Sequence, residues 1–418
     1  MHTIAALTIF GLTIALILFR PARLSEALIA CAGGLAMLLL GMLSPAGGVS
    51  ALANSANILL FFLGLLVLSA IAELAGFFDW SAALAVKYAR GSARRLFIIV
   101  FAIGVAITAI LSNDATALLL TPVVYVLATR LKLDPLPYVF ICAFTANAAS
   151  LLLPVSNPVN LLAIDRFGIR LGQYLHYLLL PALLAVIITL GLFLFIFKDS
   201  LKQKFDASPG AFKGHPLFAP TASILLITVV GYAVFSAKGW PLSVPVLFGS
   251  AVLLVIGLLR NQVNLKALSR SISWSILPFI AGLTLLVAGL EASGVTHSLG
   301  DIAAKAAGGG NAVGSGLLVS FGTAVGANVM NNWPAMMVAV TSLAGITPAA
   351  PAKLVYLSML GADLGPNIAV MGSLSTMLWL VLLRRRGLNV SATQFFKLGL
   401  AITPVALLAA SLAIIWTG

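Results

Sequence analysis

The stretch SNDATALLLTP, residues 112–122, sets three polar residues, one of them an acid, in the middle of an apolar run that extends from 96 to 129. Lipid cannot hydrogen-bond an irregular backbone, so such a break persists at membrane depth only where protein or a water-filled cavity surrounds it. Three further runs carry similar interruptions. Residues 136–164 are interrupted by Asn147, Ser150, Pro154, Ser156, Asn157, Pro158 and Asn160. Residues 313–347 read as broken at Asn328 and again at Asn331-Asn332, and 354–383 around Gly361, Asp363, Gly365, Pro366 and Asn367. Asn113-Asp114-Ala115-Thr116-Ala117 lines up with Asn331-Asn332-Trp333-Pro334-Ala335 at an offset of 218. Four breaks at matching places in two halves are the pattern of a secondary transporter whose site lies at the repeat interface.

The rest of the chain agrees with a lipid solvent. Of 418 residues 61% are apolar and 8% charged, with a mean hydropathy of +1.12. A water-soluble domain carries about a quarter of its residues charged, and nothing here supplies that coat. Long apolar runs cover 3–19, 24–43, 51–77, 174–197, 217–236, 241–259, 274–292 and 398–416. The first lacks a basic leader and ends at Arg20-Pro21 instead of a small-residue cleavage site, so it reads as a retained helix. The net charge of +13 would suggest nucleic acid in a soluble protein. Here the basic residues sit in short loops between apolar runs, which excludes that reading. Cys31 and Cys142 lie in separate runs with no paired spacing, and the four histidines are scattered. Disulfides, metal centres and cofactors are therefore not expected.

Loop charge sets the topology. If 96–129 and 313–347 are hairpins that enter and leave on one side, there are ten spans plus two hairpins. All but five of the 24 basic residues then share a side, the exceptions being Arg166, Arg170, Lys238, Lys305 and Lys353. A single crossing helix over 96–129 would destroy that bias, so the positive-inside rule favours hairpins. The first opens from the cytoplasm and the second from outside, with both termini outside. Arms of about 15 residues, near 23 Å as helix, favour a re-entrant form. The expected fold is an all-α polytopic membrane protein of two inverted-topology repeats, with about ten transmembrane helices, two re-entrant hairpins and broken helices. The first repeat spans 1–197, a basic cytoplasmic linker 198–216, and the second repeat 217–418. Residues 78–95 read as an amphipathic interfacial helix.

Of eleven acidic residues, only Asp114 and Asp363 sit deep, one in each half and each at a break. A carboxylate at that depth is costly when ionised, which suits it to carry a proton. Each could instead be a hydrogen-bonded group that stabilises a helix end. Glu26, Glu73 and Glu291 lie near the interfaces, where they snorkel or pair.

SNDATALLLTP (112–122) with ANAASLLLPVSNPVN (146–160) resembles the bacterial ArsB arsenite efflux pumps of the Ion Transporter superfamily, and LGADLGPNIAVMGSLSTMLWL (360–380) is similar to their matching second-half segment. The resemblance runs over essentially the whole chain. It implies export of arsenite and antimonite in exchange for protons across the bacterial inner membrane, and a soluble arsenite-stimulated ATPase as partner where one exists. It implies no particular oligomeric state. Carried over by position, it marks Asn113, Asn147, Ser156, Asn157, Asn331, Asn332, Asn367, Ser373 and Thr376 for substrate and Asp114 and Asp363 for proton coupling. The second tip reads NNWPA where the first reads NDATA, so the halves are not chemically equivalent.

Elementary chemistry suits that substrate. Arsenous acid is a small neutral triol, and a pocket of amides, hydroxyls and helix ends binds it without burying a net charge. Three thiolates would hold trivalent arsenic too tightly for export, and one chain has only two cysteines. A sodium–proton antiporter or a dicarboxylate carrier of the same superfamily would use similar breaks, although a dicarboxylate calls for cationic groups that these tips lack. An intramembrane aspartyl protease needs a GxGD context, whereas Asp363 follows Gly361-Ala362. A passive channel is the remaining alternative.

Overall fold

The computed structural model describes residues 2–19, 24–206, 214–308, 312–346 and 352–417. Arg20, Arg23, Lys213 and the centre of the linker at 207–213, all assigned to the basic side by the sequence, lie outside the described residues, as does residue 347 at the end of the second hairpin.

The described chain is helical, with no strand beyond one isolated bridge between Ser92 and Lys204. The first half runs α1 (His2–Phe19), α2 (Glu26–Leu39), α3 (Pro45–Asn54), α4 (Ala56–Leu74), α5 (Phe77–Ala89) and α6 (Ala93–Ile110). It continues through α7 (Asn113–Ala115), α8 (Thr121–Arg130), α9 (Pro135–Ala148), α10 (Asn160–Phe167) and α11 (Leu171–Ile196). The second half runs α12 (Phe218–Lys238), α13 (Ser243–Leu259), α14 (Leu265–Ser271), α15 (Ile276–Ala292) and α16 (Val295–Gly308). It ends with α17 (Ala312–Met330), α18 (Asn332–Ala344), α19 (Ala352–Leu364), α20 (Leu374–Arg385) and α21 (Ala392–Trp416). Six described helices are long and apolar enough to cross a membrane, namely α4, α6, α11, α12, α17 and α21. Shorter apolar helices, among them α2, α9 and α13, pack between them, and α14 meets α15 at a 45° bend.

Three expectations are corrected. The run 51–77 is not one helix, since α3 ends at Ser55, where α4 begins. Composition alone cannot reveal a break made of apolar and small residues. The second hairpin breaks only at Asn331, because Asn328 sits inside α17. Its side chain donates to Ala324 O and to Gly365 O, both at 2.8 Å, and accepts from Ala369 N–H at 2.8 Å. Asn328 is thus a brace for the neighbouring irregular segment. The hairpin arms also differ in length from the expectation. The first arms, α6 and α17, have 18 and 19 residues, about 27–29 Å, against the 15 residues expected.

Helix pairing repeats between the halves. The most intimate pairs are α2 with α15, α17 with α19, α4 with α13, and α11 with α21. Adding 218 to α2 gives α13 and to α4 gives α15, so the first and third of these pairs exchange under the repeat. By the same shift α11 becomes α21, and that pair maps onto itself.

The α2–α15 crossing depends on missing side chains. A Cβ on Gly282 would stand 2.5 Å from the backbone of Ala30 and Cys31, and one on Gly34 2.7 Å from Gly282 O. Small residues at such crossings let backbones touch where no hydrophobic force drives association. Gly282→Val should therefore reduce the yield of folded protein and its thermal midpoint in detergent, at a cost of about 1–3 kcal/mol or more. Gly191→Ala, where nothing lies within 4 Å, is the matched control and should melt like wild type.

An aromatic cluster anchors the broken helices. Trp379 of α20 packs 5.6 Å from Phe140 of α9 and 5.8 Å from Phe395 of α21, and its indole N–H donates to Val139 O at 3.2 Å. Phe144 joins Phe193 and Phe395. Rigid packing behind the irregular segments fixes where their polar ends point.

Candidate transport site

The first tip begins with a cap. Ser112 Oγ accepts the Ala115 N–H at 3.2 Å and opens α7. Asn113 Oδ1 accepts the Asp114 N–H at 3.0 Å, and the Asn113 N–H donates to Ser156 O at 2.9 Å. The tip is thereby tied to the irregular segment 149–159. Beyond α7 the chain widens into a π turn, Thr116–Leu120. Pro122 explains the widening, since it has no N–H for the carbonyl four residues back and its ring crowds that carbonyl. Such turns concentrate at functional sites.

The second tip is strained. Asn331 has φ +76°, in a region few residues other than glycine adopt. Its side chain compensates by accepting the Trp333 N–H at 3.3 Å, which caps α18.

These two tips meet. Between them lies a cavity of about 20 Å³, lined by Asn113, Asp114, Asn157, Asn332, Trp333 and Ser375. That is room for about one water, so the tips are closed on each other. The Ser375 hydroxyl donates to the Asp114 carboxylate. Phe62 of α4 packs 5.4 Å from Trp333 and shares this cavity. A larger cleft of about 80 Å³ starts from the same Phe62 and Asp114.

Asp363 sits in a different environment. It is fully buried near the end of α19 and accepts from Asn157 Nδ2 at 2.6 Å and Asn160 Nδ2 at 3.0 Å. Among the described residues no basic side chain pairs with it. Asn160 Nδ2 also donates to Ser150 O at 3.1 Å, while its Oδ1 has no partner. The two irregular segments interlock as well, with Asn147 donating to Asn367 Oδ1 at 2.9 Å and Asn367 donating to Phe144 O at 3.2 Å.

The residues marked from the sequence therefore fall into three groups. Asn113, Asp114, Asn157 and Asn332 line the cavity between the tips. Asn147, Asn367 and Asp363 form the bridge between the broken helices. Ser156, Ser373, Thr376 and Asn331 satisfy local backbone. Ser156 Oγ accepts the Leu153 N–H at 3.1 Å; Ser373 Oγ accepts the Thr376 N–H at 3.1 Å, and the two hydroxyls lie 2.7 Å apart. Ser375 and Asn160 were not among the residues marked from the sequence, although Asn160 was one of the interruptions in 136–164. Ser375 was legible as the polar residue between the capping Ser373 and Thr376, on the first turn of α20.

Residues 14–361 match the CitMHS family, described as citrate transporters. An arsenical pump membrane protein of Escherichia coli K12 is 31% identical over 94% of both chains, and one of Yersinia enterocolitica is 30% identical over 95% of this chain and 94% of its own. The chain belongs to this transporter family. The fold agrees with that of a solved transporter. The Alcanivorax borkumensis YdaH transporter, whose topology is described as unusual, superposes with a TM-score of 0.61 at 18% identity, covering 89% of this chain and 88% of that one. The protein is accordingly a multi-pass membrane transporter related to the arsenical pump membrane proteins.

Proposed function

We propose that this transporter exports arsenite, and antimonite, as the neutral triol in exchange for protons, at the junction of the two hairpin tips. One observation carries the reading. The cavity where the tips meet offers three amides, one hydroxyl and one carboxylate, and neither it nor the adjoining cleft is lined by a lysine or arginine. Amides and hydroxyls satisfy a triol in every direction. A citrate or dicarboxylate anion would stand beside Asp114 with no cation to offset it. Asp114 then links cargo and coupling, because the same oxygens can hold a proton or accept from an arsenous hydroxyl. Cys31 and Cys142 line neither cavity, which fits a site that must release its cargo. The two halves act as inverted repeats around this junction, 1–197 and 217–418, with the basic linker and loops on the cytoplasmic face of a bacterial inner membrane. A soluble arsenite-stimulated ATPase, where present, would dock on that face.

Everted vesicles provide the test. With an acidified lumen they should accumulate arsenite and antimonite against a gradient, and a proton ionophore should abolish the accumulation without ATP. Uptake that ignores the ionophore and follows an imposed sodium gradient would replace this reading with sodium–proton exchange. The one observation on that side is the partnerless Asn160 Oδ1 beside Asp363, an oxygen suited to a hard cation.

A further inference from the structure

The cleft that starts at Asp114 leads to an acid the transport reading does not use. It follows one face of α4, past Phe62, Leu65, Leu66, Ser69 and Ala70, and reaches Glu73 three turns on, about 16 Å along the helix. Its other wall carries Ser112 from the first tip, and Ser271 and Ser273 from the link between α14 and α15. At about 80 Å³ it has room for roughly five waters. Among the described residues Asp114 and Glu73 are the titratable groups that line it, and Asp79 of α5 is the further charge that acts on Glu73. Glu73 itself is exposed at the mouth, and no hydrogen bond or ion pair engages its carboxylate among the described residues.

The end of α4 that carries Glu73 is the basic side, followed at once by the helix with Lys87 and Arg90. The opposite end is cross-braced. There Asn57 Nδ2 donates to both oxygens of Asp165 at 3.0 and 2.8 Å, and Ser243 N–H donates to Asn57 Oδ1 at 3.3 Å.

We infer that Glu73 is the cytoplasmic proton relay of Asp114, reached through a file of water along the four serines that punctuate the apolar walls of this cleft. The inference rests on the proton-exchange reading and assigns it an exit. A proton leaves Asp114, passes along hydrogen-bonded waters and is taken up by the Glu73 carboxylate. Glu73 then gives it to cytoplasmic water and returns to the ionised form, so nothing is consumed. An acid at the mouth serves this purpose because it collects and discharges protons faster than neutral wall groups can.

Glu73→Gln in everted vesicles tests it, with arsenite uptake driven by a lumenal proton store. Turnover should fall by about tenfold with the arsenite KM unchanged. Small membrane-impermeant buffers, such as a zwitterionic sulfonate, added on the cytoplasmic side should restore the rate of the variant while leaving wild type unaffected. Glu73→Asp should retain most of the activity. A proton-driven wild type whose Glu73→Gln variant matches it in rate overturns the relay alone. A variant with raised KM and no buffer rescue makes Glu73 a substrate or packing contact and also overturns it. A wild type indifferent to the ionophore overturns the exchange reading and the relay together.

Discussion

Asp114→Asn should fold and reach the membrane normally yet fail to concentrate arsenite, leaving everted vesicles at passive equilibrium whatever the pH difference across them. The geometry explains both halves of that outcome. Asp114 does not hold its own tip together. The cap comes from Ser112 Oγ to the Ala115 N–H, and the Asp114 N–H is taken by Asn113 Oδ1. An asparagine keeps the volume, and its Oδ1 still accepts from Ser375, so stability should change by less than about 1 kcal/mol. What it loses is the capacity to take up and release a proton where both cavities meet. Arsenite accumulation in vesicles, beside a thermal melt of the purified variant, checks both statements. Transport that keeps the wild-type dependence on the proton gradient would remove Asp114 from the coupling step. A large drop in melting temperature would mean that its carboxylate braces the tip instead.

The environments of the two deep acids differ more than their similar depth suggested. Shifting Asp114 by 218 gives Asn332, so the counterpart of the first acid is an amide. The same shift takes Asp363 back to Thr145, so the counterpart of the second acid is a buried hydroxyl. Each half therefore carries one carboxylate, but at a different break, one lining a cavity and the other sealed. Sequence alone located both acids and the breaks that hold them, because a polar residue in an apolar run is conspicuous whatever its partners are. It could not reveal what each side chain touches. Asn328 illustrates the failure, since an amide that interrupts hydrophobicity looks the same whether it ends a helix or reaches across to Gly365 and Ala369. Ser375 illustrates another. A serine between two capping residues reads as part of the cap, and only the turn of α20 directs it to Asp114. Glu73 was read as an interfacial acid that snorkels or pairs, and no hydrogen bond or ion pair engages its carboxylate among the described residues. The cleft connecting it to the tip depends on how α4 packs on α14 and α15 and faces α7, and no local pattern encodes that.

Asp363→Ala should have the largest effect on stability of any single polar change in the core. The substitution strips the acceptor from two buried amides at once. Asn157 cannot turn to escape, because its Oδ1 already accepts the Val159 N–H at 3.1 Å. Asn160 is held by its donation to Ser150 O. Each unsatisfied donor costs about 1–3 kcal/mol, so the loss should reach about 3 kcal/mol and appear as reduced folded yield and an early melt in detergent. Asp363→Asn is the informative companion. One of its terminal atoms becomes an NH2 group, and that group must face a fixed donor or turn toward Asn160 while its oxygen serves Asn157. It should cost about one hydrogen bond and still fold. If that variant folds but no longer accumulates arsenite, Asp363 carries charge or a proton in the cycle as well as joining the halves. If it folds and transports with unaltered pH dependence, the carboxylate is a brace, and the coupling falls to Asp114 and its exit. An alanine variant as stable as wild type would overturn the bridge itself, because two buried amides would then have lost their acceptor at no cost.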